Sequence, residues 1–126
     1  MALKFLIVDD SVTMRRIVAN SLKTIGHEEF IEASDGREAL QKLSIDESIN
    51  FVITDWNMPD VSGLELVKSI RANQNFGKIP ILMVTTRGLK EDILEALQAK
   101  VNNYIVKPFT PQILREKIEQ IVSSVG

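Results

Sequence analysis

The chain has 126 residues, 44% of them hydrophobic and 25% charged, which is enough for one compact domain with a single core and too little for two. Its 15 Lys and Arg against 17 Asp and Glu leave a net charge of −2, so no global positive field exists to attract nucleic acid or an anionic membrane surface. The absence of cysteine and the single histidine, His27, exclude disulfides, thiolate zinc sites, a cysteine nucleophile and a histidine cluster; any metal must be a hard cation held by oxygen.

Residues Leu3 to Val8 form a nearly continuous apolar run, broken only by Lys4, as expected of a strand covered on both faces of a parallel sheet. Asp9 and Asp10 cut the run far short of a signal or membrane segment, so a complete cytoplasmic protein is expected. Ser11 is the predicted N-cap of a first helix carrying Val12, Met14, Ile17, Val18, Leu22 and Ile25 inward and stopped by Gly26. The acid-rich segment Glu28 to Ala33 suits a charged edge strand. Ser34 and Asp35 open a second helix with Ala39, Leu40 and Leu43 on one face, and a loop over Asp46 to Asn50 leads to the apolar run Phe51 to Ile53, closed by Thr54 and Asp55.

Asn57 to Gly63 has turn-forming composition and precedes a helix marked by Leu64, Leu66, Val67 and Ile70. After the polar stretch Ala72 to Lys78, Ile79 to Val84 reads as a fourth strand ending at Thr85 and Thr86. Leu89 to Lys100 is predicted as a helix with Ile93, Leu94, Ala96 and Leu97 as its apolar side, and Tyr104 to Val106 as a fifth strand. Thr110 and Pro111 start a last helix whose Ile113, Leu114, Ile118, Ile121 and Val122 face inward.

Strands alternating with helices specify a doubly wound α/β domain with right-handed crossovers. The size suits the flavodoxin-like (βα)5 arrangement, a five-stranded parallel sheet of order 2-1-3-4-5 whose ligands bind beyond the carboxyl ends of the strands; periodicity alone leaves the strand order open. In that arrangement Asp9 and Asp10 end the first strand, Asp55 the third, Thr85 the fourth and Lys107 the fifth, all at one sheet edge. Any one of these could be an ordinary solvated loop residue; four coincidences weaken that reading.

Three carboxylates against one ammonium leave surplus negative charge, and two like charges about 4 Å apart repel by roughly 4 kcal/mol at an effective dielectric near 20. A divalent cation relieves the conflict, and oxygen ligands favour Mg²⁺, with Mn²⁺ as the alternative. An aspartate kept ionised beside such a cation is a nucleophile of the aspartyl-phosphate type. Asp55, on the central strand, is the candidate nucleophile; Asp9 and Asp10 would hold the metal, Lys107 would pair with a phosphoryl oxygen or Asp55, and Thr85 would donate to another oxygen.

The segments Val8-Asp9-Asp10, Thr13 to Val18, Thr54 to Pro59, Leu82 to Thr85 and Tyr104 to Thr110, in this order over essentially the whole chain, closely resemble receiver domains of two-component response regulators. The resemblance implies that Asp55 is the phosphoacceptor, that Asp10, Asp55 and the backbone carbonyl of Asn57 ligate Mg²⁺, and that Asp9 acts largely through water. It makes Thr85 and Tyr104 switch residues together with Lys107, and implies a cis Lys107-Pro108 bond, for which proline lowers the penalty. The phosphate would come from a sensor histidine kinase, of the CheA kind if the pathway is chemotaxis, and the protein would assist both its own phosphorylation and its own slow autodephosphorylation without being an enzyme.

By the same resemblance, a phosphoryl group on Asp55 engages Thr85 and frees interior space that Tyr104 can occupy, changing the face made by the fourth helix, fifth strand and fifth helix. With residues 1–126 forming a single receiver domain and no output domain, the partner would be a separate protein. For the chemotaxis members this is the flagellar motor switch, met by Lys90, Tyr104 and Lys117; a dedicated phosphatase is a further candidate partner, and a monomer is expected. Departures from the family pattern are Lys100-Val101 in place of the common Gly-Ala, which would put any left-handed cap on a non-glycine residue, Thr86, whose bulk could restrict Tyr104, and Arg87, which could reach the phosphoryl group.

Trp56 is expected to be a partly exposed aromatic beside the site, His27 a surface residue, Met14, Met58 and Met83 packing residues, and Arg15 and Arg16 a solvated helix face. A phosphatase of the haloacid-dehalogenase kind is disfavoured because Asn57 stands where such enzymes resemble one another in having an acid/base Asp, and an amide cannot transfer that proton. An FMN carrier is disfavoured by the acidic Asp9-Asp10-Ser11 loop, and a phosphorylation-independent scaffold by the presence of every expected acidic-pocket residue.

Overall fold

The computed structural model describes residues 2–125. Its elements are β1 (Phe5–Val8), α1 (Val12–Thr24), β2 (Phe30–Ala33), α2 (Gly36–Ile45), β3 (Phe51–Thr54), α3 (Gly63–Arg71), β4 (Ile81–Thr85), α4 (Lys90–Gln98), β5 (Asn103–Val106) and α5 (Pro111–Val125). The five strands are parallel and ordered β2-β1-β3-β4-β5, the flavodoxin-like order. Every residue of β1, β3 and β4 is buried, whereas β2 is half-buried with Glu32 exposed, the division expected between central strands and a charged edge.

Strand alternation splits the core in two. Leu6, Val8, Val52, Ile81 and Met83 face α2, α3 and α4, meeting Ala39, Leu43, Leu66, Val67, Ile70 and Ala96. Phe5, Ile7, Phe51, Ile53, Leu82, Val84 and Ile105 face α1 and α5, meeting Val18, Leu22, Leu114, Ile118 and Ile121. Burying each large side chain fully contributes about 1.5–3 kcal/mol, so the two layers clamp the sheet from both sides and hold its carboxyl edge rigid.

Local chemistry sets the helix ends. Ser11 accepts from the Met14 amide, Asp35 from Glu38, and Ser62 and Glu65 form a reciprocal capping box. Thr110 Oγ accepts from the Ile113 amide, with Pro111 at the first helical position. Two helices finish on the same double hydrogen bond into a left-handed residue. After α1 it is Gly26 (φ 96°), with the His27 and Gly26 amides donating to Leu22 and Lys23; after α4 it is Lys100 (φ 77°), with the Val101 and Lys100 amides donating to Ala96 and Leu97. The left-handed cap expected at Lys100-Val101 does fall on a non-glycine residue, at a steric cost of roughly 1–2 kcal/mol.

Several boundaries and faces differ from the sequence expectation. Strand β4 starts at Ile81 because Pro80 has no amide to donate; its carbonyl still accepts from Val52. The first strand begins at Phe5 rather than Leu3, β2 at Phe30 rather than Glu28, and β5 one residue early, at Asn103. Leu89 caps α4 from outside the helix, and Lys100 lies beyond its end. Val12, Ile17, Leu94, Leu97 and Ile113, expected inward, are all exposed; each sits on the flank of a helix whose buried stripe is narrower than its apolar content.

This assignment predicts that Leu114→Ala, which empties a fully buried position, destabilises the protein by about 2–5 kcal/mol in denaturant unfolding. Its helix neighbour Ile113→Ala, at a 40% exposed position, should stay within about 0.5 kcal/mol.

Candidate functional site

The parallel ladder between β1 and β3 runs past the strand ends, with the Asp55 amide donating to the Val8 carbonyl at 3.0 Å, and the Asp9 amide donating to Ala33 at 3.2 Å. Adjacent strands therefore deliver Asp9 and Asp55 side by side. Carboxylate oxygens of Asp9, Asp10 and Asp55 lie within 4.8 Å of one another. Asp9 and Asp55 are buried and Asp10 is exposed. Lys107, arriving from the end of β5, places Nζ 3.3 Å from Asp9 Oδ2 and 3.6 Å from Asp55 Oδ2. The expected Lys107 to Asp55 pair is thus present, but Asp9 is the nearer partner.

Backbone donors hold the carboxylates in place. Asp9 Oδ1 accepts from the Ser11 amide at 2.9 Å and Asp55 Oδ1 from the Trp56 amide at 2.7 Å. Burial raises the Asp9 carboxyl above its ordinary pKa, with the Asp55 charge adding to the rise; the Ser11 amide and Lys107 act against it. One ammonium therefore leaves the cluster under-compensated. Three clustered oxygen donors of this kind fit a small hard divalent cation, and would not suit a soft one.

Two residues position the site in ways the sequence did not reveal. Gly63 donates its amide to the Trp56 carbonyl at 2.7 Å, and a Cβ there would sit only 1.9 Å from the Asp55 carbonyl oxygen. Only glycine lets α3 begin against the backbone of Asp55; the turn-forming composition was legible, the close approach was not. Arg15, expected on a solvated face, instead donates through Nη1 to the Asp9 carbonyl at 2.6 Å and through Nε to Glu32 at 2.9 Å. Arg16 is exposed, as expected.

Thr85 is fully buried at the end of β4, and its Oγ1 accepts from the Arg87 amide at 3.3 Å. Tyr104 lies inside, 8% exposed, and its phenol donates to the Arg87 carbonyl at 2.6 Å, whereas the sequence reading had it move inward on phosphorylation of Asp55. Burial, with the Asp92 charge adding, pushes its pKa up to about 12, so the phenol stays a donor at neutral pH. Lys90 is exposed at the start of α4 and Lys117 half-buried on α5; the exposed side chains of Leu94, Leu97, Val106 and Ile113 lie on the same three elements.

Residues 5–119 match the family described as the response regulator receiver domain. The chain belongs to that family. This receiver domain is 52% identical over 122 residues to chemotaxis protein CheY1 of Helicobacter pylori, covering 97% of this chain and 98% of the relative. It is equally 52% identical over 122 residues to a chemotaxis protein CheY homolog of Campylobacter jejuni, covering 97% of this chain and 94% of the relative. Among solved structures, chemotaxis protein CheY4 of Vibrio cholerae superposes with a TM-score of 0.87 at 36% identity, covering 96% and 99% of the two chains.

The receiver domain departs from several expectations around this site. Trp56 is 5% exposed and part of the core, since its ring is roofed by the Arg87 guanidinium, whose carbon lies 4.6 Å from the ring centroid. Arg87 turns toward Asn57 Oδ1 (3.0 Å) and Asp92 (3.6 Å). Thr86 is exposed while Tyr104 is inside. His27 is half-buried, edge-on to Phe5 at 5.0 Å between ring centroids, and burial and Arg115 lower its pKa. Met83 is buried and Met58 packs against the core, as packing residues should; Met14 is half-buried. The Lys107-Pro108 bond is cis.

Because like charges crowd this site, Asp55→Asn is predicted to stabilise the cation-free receiver domain by about 1 kcal/mol. Millimolar Mg²⁺ should raise the melting temperature of the parent protein, and much less that of Asp55→Asn or Asp10→Asn, in paired thermal melts.

Proposed function

We propose that this receiver domain is a chemotaxis response regulator of the CheY kind, which accepts a phosphoryl group on Asp55 from a histidine kinase and passes the signal to a separate docking partner. The observation that carries the reading is Asp55 itself, a buried carboxylate flanked by Asp9, Asp10 and Lys107 at the carboxyl edge of the sheet. The names of the relatives, matched over nearly their full length, support the pathway.

In this reading Asp10, Asp55 and the Asn57 carbonyl hold Mg²⁺, with Mn²⁺ as substitute, and Asp9 acts through water. When bound, the cation neutralises charge on the phosphoryl oxygens and on the carboxylates. The free oxygen of Asp55 attacks phosphorus; the new O–P bond forms as the P–N bond breaks, and the histidine nitrogen of the kinase leaves with the bonding pair. Lys107, already between Asp9 and Asp55, pairs with a phosphoryl oxygen, and Thr85, whose Oγ1 accepts from the Arg87 amide, donates its hydroxyl proton to a second one.

Engaging Thr85 draws on the same loop that accepts the Tyr104 phenol, so phosphorylation biases the α4-β5-α5 face with Lys90, Tyr104 and Lys117. A shift from 1:99 to 99:1 requires roughly 5.5 kcal/mol of discrimination, so the partner, taken to be the flagellar motor switch, completes what phosphorylation begins. Hydrolysis of the aspartyl phosphate is slow, as befits a signal. A dedicated phosphatase, a monomeric state and a cytoplasmic setting belong to the same proposal; no helix among the described residues is long and apolar enough to cross a membrane.

The test is intact-protein mass after incubation with acetyl phosphate, with and without Mg²⁺. The expected outcome is one phosphoryl adduct that needs Mg²⁺ and disappears in Asp55→Asn. No adduct on a protein whose melting temperature still responds to Mg²⁺ would remove the phosphoacceptor assignment for small-molecule donors and favour a phosphorylation-independent scaffold.

A further inference from the structure

Arg87 occupies the connection between β4 and α4, outside the set of acidic, hydroxyl and ammonium groups that form the site. It is fastened in several directions at once. Its guanidinium lies over Trp56, Nε donates to Asn57 Oδ1 at 3.0 Å, and Nη1 is 3.6 Å from Asp92 in the first turn of α4. Its amide donates to Thr85 Oγ1, and its carbonyl is the acceptor of the Tyr104 phenol. One residue thereby links the loop after β3, the end of β4, the start of α4 and the middle of β5.

The rest of that connection has little else to fix it. Thr86, Gly88 and Leu89 are exposed, and Leu89 gives α4 no side-chain cap. The carbonyl that satisfies the Tyr104 phenol therefore stays in place because the side chain of the same residue is anchored on Trp56, Asn57 and Asp92. A buried hydroxyl that loses its acceptor is strongly disfavoured, so freeing the loop turns Tyr104 toward water.

We propose that Arg87 is a positioning residue, a clasp that holds Tyr104 inside and thereby sets the resting bias of the α4-β5 surface on which the state of Asp55 also acts. Coupling is reciprocal: whatever draws Tyr104 inward also tightens the clasp, and breaking the clasp weakens that response by the same factor. Only the description of that surface as the output face rests on the function proposed above.

The chain has one tyrosine and one tryptophan, so each can be read without assignment. Protein labelled with 3-fluorotyrosine is compared by ¹⁹F NMR as wild type, Arg87→Ala and Arg87→Lys, without phosphoryl donor or added cation. The H₂O/D₂O isotope shift gives ring exposure, and iodide quenching of Trp56 fluorescence reports the guanidinium cover. The expected result is a sheltered Tyr104 in wild type and a shift of about 10-fold toward the exposed ring in Arg87→Ala. Arg87→Lys should fall between, since it keeps the charge near Asp92 but lacks the planar stack and the Nε donor. Trp56 quenching should rise in the same order. A lowered melting temperature with the Tyr104 signal unmoved in both variants would make Arg87 a structural residue and overturn the proposal, as would a wild-type ring already exposed. Neither the measurement nor its failure touches the mass test of Asp55, which stands or falls separately.

Discussion

Like-charge repulsion among Asp9, Asp10 and Asp55, offset by a single ammonium, is the constraint around which the molecule is organised. Left to itself, a chain would separate three carboxylates or let one keep a proton. Here the β1-β3 ladder holds two of them on neighbouring strands, and apolar layers on both faces prevent those strands from parting. The electrostatic cost is of the order of a few kcal/mol, and it is carried by a core in which many side chains each contribute a comparable amount. Stability spent there is what gives the site its appetite for a cation and for a phosphoryl group, because either changes the charge balance.

The supports around that cluster show how finely its backbone is held. Gly63 lets α3 start against the Asp55 carbonyl, the Trp56 amide turns the Asp55 carboxylate, and Arg15 grips the carbonyl of Asp9 from α1. These contacts leave the carboxylates oriented toward one another and toward Lys107. The opposite end of α4 is tied as firmly: Arg71 donates to the carbonyls of Lys100, Gly77 and Ile79 and to Asn102 Oδ1, which itself accepts from the Ile81 amide. Helix α4 is thus pinned where it ends, by the Lys100 turn, and held where it begins chiefly through Arg87 and Asp92. Such an element can respond at one end without being released at the other, which suits a surface that must report on a site beside it.

Much of this was legible in the residues. Apolar runs ending in Asp, Thr or Lys marked the strands and their reactive edge, and caps such as Ser11, Asp35, Ser62 and Thr110 marked where helices begin, because both signals depend on neighbours in sequence. The exposed faces of Val12, Ile17, Leu94, Leu97 and Ile113 were misjudged, since helical periodicity gives an apolar stripe but not how much of it the sheet covers. Pro80 was absorbed into a strand it cannot enter. Arg15, Trp56 and His27 were read as surface or partly exposed side chains and Arg87 as reaching for the phosphoryl group; their actual partners come from segments that only the folded chain brings near.

By itself, then, the sequence determined the alternating elements, the doubly wound α/β class, the inventory of the acidic site and the family, all of which follow from local periodicity, capping chemistry and short motifs. Tertiary structure decided the rest: that Lys107 stands nearer Asp9 than Asp55, that Gly63 must be glycine, that Lys100 accepts a left-handed turn, and that Arg87 roofs Trp56 while its carbonyl receives Tyr104. Each of these depends on distances of a few ångströms between residues far apart in the chain, and such distances are set by how layers pack, which no local pattern encodes.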